Sequence, residues 1–491
     1  MNHGELGFMG TAANVLVIGA GIAGLAAARS LQDRGFCVRV VEGRDRIGGR
    51  IVTDYSWKDV PLELGSSWIH GIIGNPIAQL ARKFKLTTLV TDYYSPPFVY
   101  TSSGQPLAER DRLAACQRLN QLLHELCDAR EALDEDAPLG EALEQRISQK
   151  CFSPDQQCHL RHVIHTTIEQ DYAADASALS LWYWDDCDEF SGQHVLLPNG
   201  YSQLIENLAA GLEIYIDHIV QEIAYDNQAV RVITNQETFA ADQVIVTLPL
   251  GVLKSGSVTF SPPLPKRKCE AIEKMQMGVL NKLVLRFPEC FWAKESDWLE
   301  FIRDPPGLWA EFFNDFKYTQ KPILIGFNVG SRARVIESLS DTETVEQAMH
   351  VLRDVYGASI PNPIAWKVTR WGSDRFAGGS YIYLPPGTSG VDCDVLAEPV
   401  ENSLFFAGEA TIKTLYGSVQ GAYLSGIQAA QMIIEPESRF LAASRNSSIY
   451  HLSLDCLDAQ GISPENLIRG LLARKGRTCH VGCPRKTSQS H

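Results

Sequence analysis

The stretch Val15-Leu16-Val17-Ile18-Gly19-Ala20-Gly21-Ile22-Ala23-Gly24 limits the possible folds of this chain more than any other segment. An apolar run of strand length passes directly into Gly-x-Gly-x-x-Gly and then into an Ala-rich helical sequence. Gly19 permits a tight turn, Gly21 lets backbone N–H groups approach a pyrophosphate at a helix N-terminus, and Gly24 lets the helix lie close to the strand. Cys37 to Val41 reads as the next strand. Glu42 closes it at the spacing from which a carboxylate accepts hydrogen bonds from a ribose diol and disfavours a 2′-phosphate. Strand, glycines, helix, strand and acid in that order predict a dinucleotide cradle, and with it a redox enzyme.

Gly43, Arg44, Gly48, Gly49 and Arg50 follow the acid. Adjacent glycines there suit a second close backbone approach to the same ligand, and Arg44 and Arg50 could neutralise diphosphate charge. A glycine turn with solvated arginines accounts for the same residues. With these residues the chain resembles the flavin-containing amine oxidase superfamily, in which Gly-Gly-Arg follows the nucleotide-binding acid. The resemblance runs to about Ile434 through Glu63-Leu64-Gly65-Ser66-Ser67-Trp68-Ile69-His70-Gly71, Thr247-Leu248-Pro249-Leu250-Gly251-Val252-Leu253, Asn281-Lys282-Leu283-Val284-Leu285-Arg286-Phe287-Pro288, Phe406-Ala407-Gly408-Glu409 and Tyr416-Gly417-Ser418-Val419-Gln420-Gly421-Ala422-Tyr423. Within the superfamily the chain is most similar to the polyamine oxidases of the plant type that shortens spermine and spermidine.

The resemblance implies an α/β protein: a Rossmann-like FAD-binding domain (residues 13–92, 196–290 and 399–436) with an interleaved α+β substrate-binding domain (93–195 and 291–398) and a tail (437–491). It further implies hydride transfer from a polyamine to FAD, giving a shorter amine, an aminoaldehyde and, with O2, hydrogen peroxide. A monoamine or amino-acid oxidase is the related alternative. A flavin-bearing lysine demethylase or scaffold protein is a different class, whose extra helical insertion and binding domains are not expected here, and a polyene desaturase fits the acidic and aromatic clusters poorly.

Along Asn281 to Phe287 side chains alternate, so Lys282, Val284 and Arg286 share one face and Leu283, Leu285 and Phe287 the other. Pattern alone makes Lys282 an exposed strand lysine. The resemblance implies that Lys282 holds a water at flavin N5 and aids the reaction with oxygen. It places His70 and Trp68 in the substrate channel, and Tyr381 as one aromatic wall beside the flavin, available for a cation–π contact. Ser418 stands where relatives often carry the second aromatic, which leaves room for a longer substrate.

Further cofactor contacts implied by the resemblance are Gly65, Ser66, Ser67, Trp68, Val220 at the adenine, Trp371, Gly408 and Glu409 at the ribityl chain and phosphate, and Ser418 and Val419 at the ring. Ser380 occupies the position of the cysteine that bonds the flavin in membrane monoamine oxidases. A serine cannot form that thioether, so non-covalent FAD is expected. Of Glu169, Asp171, Asp185, Asp186, Asp188 and Glu189, one or two are expected to face the channel and hold a distal ammonium.

The 491 residues carry a formal charge of −14, with no long basic run, which disfavours nucleic acid and favours a cationic substrate. No apolar stretch reaches membrane-spanning length and no secretory leader is recognisable, so a soluble, cytoplasmic protein without a membrane partner is expected, monomeric or a weak homodimer. None of the twelve cysteines forms a Cys-x-x-Cys pair, which suits reduced thiols. His451, Cys456, Cys479, His480 and Cys483 lack the paired spacing of a zinc module and read as a solvated tail, with no metal expected.

Helical periodicity is expected from Leu107 to Arg146, with Ala114, Leu119, Leu122, Leu123 and Leu126 on one stripe. Strands are expected at Ile214–Ile223, Val230–Thr234 and Val244–Leu248, rejoining the first sheet, and helices at Thr344–Val355 and Gly421–Ile434.

Overall fold

The computed structural model describes residues 13–226, 229–303 and 306–436. Its first layer is a five-stranded, wholly parallel sheet in the order Leu404–Phe406, Gln243–Val246, Asn14–Ile18, Cys37–Val41 and Glu213–Tyr215. Parallel strands need both faces covered, and the period of two in each strand supplies two apolar faces. Val15, Val17, Val38, Val40, Ile245 and Phe405 pack against the helices Ile22–Gln32 and Val419–Ile434. Leu16, Ile18, Val244, Val246, Leu404 and Phe406 pack on the other face against a second, four-stranded sheet.

That second sheet corrects one expectation. Val230–Thr234 does not rejoin the first sheet but pairs with Val220–Tyr225 and Thr238–Ala241. The segment expected as one strand, 214–223, divides at Asp217, whose φ of +59° breaks the extended run, and its two halves enter different sheets.

A third, six-stranded sheet runs in the order Ala365–Val368, Leu280–Arg286, Ile323–Val329, Glu311–Asn314, Trp298–Phe301 and Phe98–Tyr100. The strand Leu280–Arg286 falls within a segment expected in the FAD domain, yet its ladder bonds are to Ile323–Val329 and Ala365–Val368, so it belongs to this sheet. Leu283, Leu285 and Phe287 face a cluster that includes Val345, Met349 and Leu352 of the helix Asp341–Tyr356. Lys282 and Val284 point the opposite way, toward the 57–67 segment. Lys282 is 6% exposed, so the pattern-based reading of a solvated lysine fails: its face of the sheet is covered.

A helical subdomain completes the wall. Glu109–Arg130, Leu139–Gln149 and Pro154–Ile164 share one core, and the last helix runs into a π-helical turn, His165–Glu169. The buried stripe of the first of these helices includes Ala115, Leu119, Leu122, Leu123 and Leu126; Ala114 sits off it, half-buried, one residue from its expected place. Among the described residues no helix is long and apolar enough to cross a membrane, and no group of three or more His, Cys, Asp or Glu could hold a metal ion. The five His and Cys residues of the tail lie outside the described residues.

Candidate active site

The glycines of the first turn divide by function. Gly19 has φ +103°, and its missing side chain makes room for Thr247; a Cβ on Gly24 would overlap the Gly19 carbonyl oxygen. Both serve packing. Gly21 instead has nothing within 4 Å of a would-be Cβ, leaving open space at the N-terminus of an 11-residue helix, where backbone N–H groups attract an anion. Gly49, φ +59°, and Gly408, φ +141°, are open in the same way apart from the approach of Gly49 to the Gly21 Cα at 3.6 Å. Glu42 is buried, its two carboxylate oxygens accepting from the Ala20 N–H at 2.8 Å and the Arg44 N–H at 2.9 Å. Each oxygen retains a lone pair for a sugar hydroxyl.

Four residues of the expected cofactor set make contacts other than those expected. The Arg44 fork is bound by both oxygens of Asp374 at 2.9 Å, and Arg50 donates to Glu409 at 2.8 Å and to the Ser380 carbonyl at 2.9 Å, so neither is an uncompensated cation for a diphosphate. Gly43 is needed for packing: a Cβ there would press on the Phe376 ring. The second Glu409 oxygen accepts from Ile382 and Gly417 N–H groups, which makes this residue a junction of three segments rather than a free ligand group. Val220 opens its strand two residues beyond His218, whose N–H donates to the Glu42 carbonyl at 2.8 Å.

A cavity of about 490 Å³ lies between the six-stranded sheet, the helical segment around 163–172 and the 64–70 segment. Gly65, Ser66, Ser67, Trp68, Trp371, Ser418 and Val419 from the expected cofactor set line it, together with Lys282, His70 and Tyr381. Gly65 must be glycine because a Cβ would meet the Arg50 carbonyl. Lys282 Nζ donates to the carbonyls of Glu63 (2.9 Å) and Gly65 (2.6 Å) and to Ser67 Oγ (2.6 Å). All three ammonium protons are therefore used, and a water on Lys282 would have to take over one of these bonds, most simply the one to the Ser67 hydroxyl. Burial lowers the Lys282 pKa and raises that of Glu63, each opposed by the charge of the other.

Trp371 donates its indole N–H to the Leu64 carbonyl at 3.2 Å, and Tyr381 its hydroxyl to the Gln170 carbonyl at 3.0 Å. Ser418 caps the final helix by accepting from the Gly421 N–H at 3.0 Å. His70 Nδ1 lies 3.1 Å from Nδ1 of His194, so one proton is shared between the rings. Both rings face Tyr93 and line the cavity wall; the side chain of His70 is accessible from the cavity, the enclosing protein and the adjacent His194 lower its pKa, and burial lowers that of His194. His194 was not foreseen; a lone histidine ahead of an apolar strand gives no local signal.

Of the acids considered from sequence, Asp171, Asp188 and Glu189 reach the cavity, while Asp185 is bound to Arg130 at 2.7 Å and Glu169 to His165 at 2.7 Å. Burial and the neighbouring Glu189 raise the Asp171 pKa to about 7. Glu300 and Glu311 also line the cavity and were missed. Their signal was an acid inside an aromatic run, Trp298-Leu299-Glu300-Phe301 and Glu311-Phe312-Phe313, which the alternation places on one face.

Residues 22–434 match the family model of flavin containing amine oxidoreductases. Lysine-specific histone demethylase 1 homolog 1 of Arabidopsis thaliana is 36% identical over 88% of this chain and 53% of its own length, and homolog 2 is 38% identical over 87% and 59%. The chain thus spans little more than half the length of these relatives. Polyamine oxidase 2 of Arabidopsis thaliana is 36% identical over 85% of this chain and 87% of its own. Among solved structures, cyclohexylamine oxidase from Brevibacterium oxydans superposes with a TM-score of 0.70 at 23% identity, over 87% of this chain and 100% of that one. An engineered putrescine oxidase gives 0.70 at 20%, over 86% and 99%. At such identities these two speak for the fold alone.

Proposed function

Because the chain belongs to the flavin-containing amine oxidoreductase family, and its cofactor is FAD, we propose that it is a polyamine oxidase that oxidises spermine or spermidine at a secondary amine carbon. The observation that carries the reading is the cavity itself: five carboxyl groups, Asp171, Asp188, Glu189, Glu300 and Glu311, line it against three cations, of which Arg50 and Arg112 are each held by an acid, Glu409 and Glu109, and Lys282 is bound to the 63–67 segment. Polycations are the substrates such a cavity attracts. The similarity to a plant polyamine oxidase over 87% of that protein's length supports it.

FAD, when bound, supplies the hydride acceptor. The open backbone at Gly21, Gly49 and Gly408 and the free lone pairs of Glu42 fit a dinucleotide, and Trp371, Ser418, Val419 and the 65–67 segment would border its ring. The chain's own groups must then hold the amine and remove its proton. Tyr381 offers an aromatic face to the substrate cation. The His70–His194 pair borders the cavity, where a ring nitrogen can hydrogen-bond to the reacting amine while the proton between the rings keeps both oriented. Lys282, fixed to the 63–67 segment, contributes positive charge at the flavin end of the cavity.

A second reading, oxidative demethylation of a methylated lysine, rests on the demethylase homologues at similar identity. Peroxide release from the FAD-loaded protein across spermine, spermidine, monoamines and a methylated-lysine peptide separates the two. For a polyamine oxidase, kcat/KM for a polyamine is expected to exceed that for any other amine at least about tenfold, which one ion-pair contact supplies. Equal or better turnover of the peptide or of a monoamine overturns the assignment.

A further inference from the structure

The antiparallel register of the six-stranded sheet puts four cavity residues on a single row. Lys282 is paired with Phe327, Phe327 with Glu311, and Glu311 with Glu300, each directly opposite the next on successive strands. Directly opposed residues point to the same face, and all four line the cavity. Neighbouring strands lie about 4.8 Å apart, so Glu311 stands about 10 Å and Glu300 about 14 Å from Lys282 along the row.

Glu311 is only 8% exposed, and its carboxylate has no hydrogen bond or ion pair among the described residues. Leaving a carboxylate buried without a partner is costly, and placing a second acid opposite it on the adjacent strand adds to the cost. Glu300 is held from behind by His162 Nε2 at 2.8 Å, which leaves Glu311 as the unmet group. The amide nitrogen of Gln170, also buried and on the cavity wall, is likewise without a partner. Between the acid pair and Lys282 the row presents only the Phe327 ring, and Trp298 flanks it on the same face. This is a wall for an apolar segment that ends in a cation.

We propose that Glu300 and Glu311, opposed across the strands Trp298–Phe301 and Glu311–Asn314, form the subsite that holds the distal ammonium group of the amine substrate, with Phe327 covering the methylene segment between it and the reacting carbon. The row then measures substrate length: a cation on Glu311 places the carbon several methylene groups away at the Lys282 end. The inference rests on the polyamine reading and deepens it.

The test uses the FAD-loaded full chain with Glu311→Gln, Glu311→Asp and Glu300→Gln. Spermidine is compared with N-propylbutylamine, which has the same secondary nitrogen and carbon skeleton but no terminal ammonium. Glu311→Gln is expected to raise KM for spermidine at least about tenfold with kcat changed less than about threefold, and to alter kcat/KM for N-propylbutylamine less than about twofold. Glu300→Gln shifts KM in the same direction, and Glu311→Asp recovers part of the loss. The melting temperature of Glu311→Gln stays equal or rises, because a buried, unpartnered acid opposite Glu300 is removed. An equal loss for both amines, or none for either, overturns the subsite while the polyamine reading stands. Absence of polyamine turnover in the unaltered protein overturns that reading and the subsite with it.

Discussion

Gly21 and Gly24 lie three residues apart in one motif, yet replacing each with alanine should have different consequences. A Cβ on Gly21 meets nothing within 4 Å, and the backbone there, φ −75° and ψ 176°, is open to any residue. In the cofactor-free protein, alanine at this helix N-cap costs a few tenths to about 1 kcal/mol, offset by a loss of unfolded-state entropy of about 0.4 to 1 kcal/mol. The net change in stability is within about 1 kcal/mol. The same methyl fills the space through which backbone N–H groups reach a phosphate, removing at least one charge-assisted hydrogen bond worth about 1.5 to 3 kcal/mol, or about 10- to 150-fold in Kd. On Gly24 the Cβ overlaps the Gly19 carbonyl oxygen and crowds the Thr247 hydroxyl, so helix and strand must separate, at about 3 kcal/mol or more. Circular dichroism melting of the two apo variants, followed by FAD titration monitored by flavin fluorescence quenching, measures both quantities. If Gly21→Ala loses apo stability as Gly24→Ala does, or binds FAD as tightly as the unaltered protein, the open space at Gly21 is not the phosphate approach.

Lys282→Met leaves FAD bound but slows flavin reduction, reoxidation or both by about 30- to 1000-fold, the equivalent of about 2 to 4 kcal/mol; stopped-flow traces identical to the unaltered protein in both half-reactions would remove Lys282 from the chemistry. Because Ser380 offers no thiol, acid or heat should release intact FAD into the supernatant, and flavin remaining on the denatured polypeptide would refute non-covalent binding. Asp171 titrates at about 7 in the folded protein against 3.8 unfolded. The folded state therefore holds an extra proton between those values, stability falls as pH rises through that window, and a cation in the cavity is attracted more strongly as the group ionises. KM for spermidine should fall from pH 6 to 8, and Asp171→Asn should flatten that fall and raise the melting temperature at pH 8.

Local rules acting within a few residues of each other made the cofactor half legible in the sequence. Strand, glycine spacing, helix and terminal acid are contiguous, so steric and hydrogen-bonding demands at Gly19, Gly21, Gly24 and Glu42 are written side by side. The alternation that set Lys282 opposite Leu283 was legible for the same reason, but not whether its face met water or protein. That was decided when the 63–67 segment, more than two hundred residues away in sequence, folded over it and accepted all three of its protons. The arginines tell the same story: Arg44 and Arg50 read as free cations until Asp374 and Glu409 arrive from distant segments. The pairing of His70 with His194, and the row from Lys282 to Glu300, come from strand register alone, which joins residues with no common local pattern. Sequence determined which side chains each strand would present; only the tertiary fold decided which would face one another, because burial, charge pairing and register are properties of segments brought together and not of any one of them.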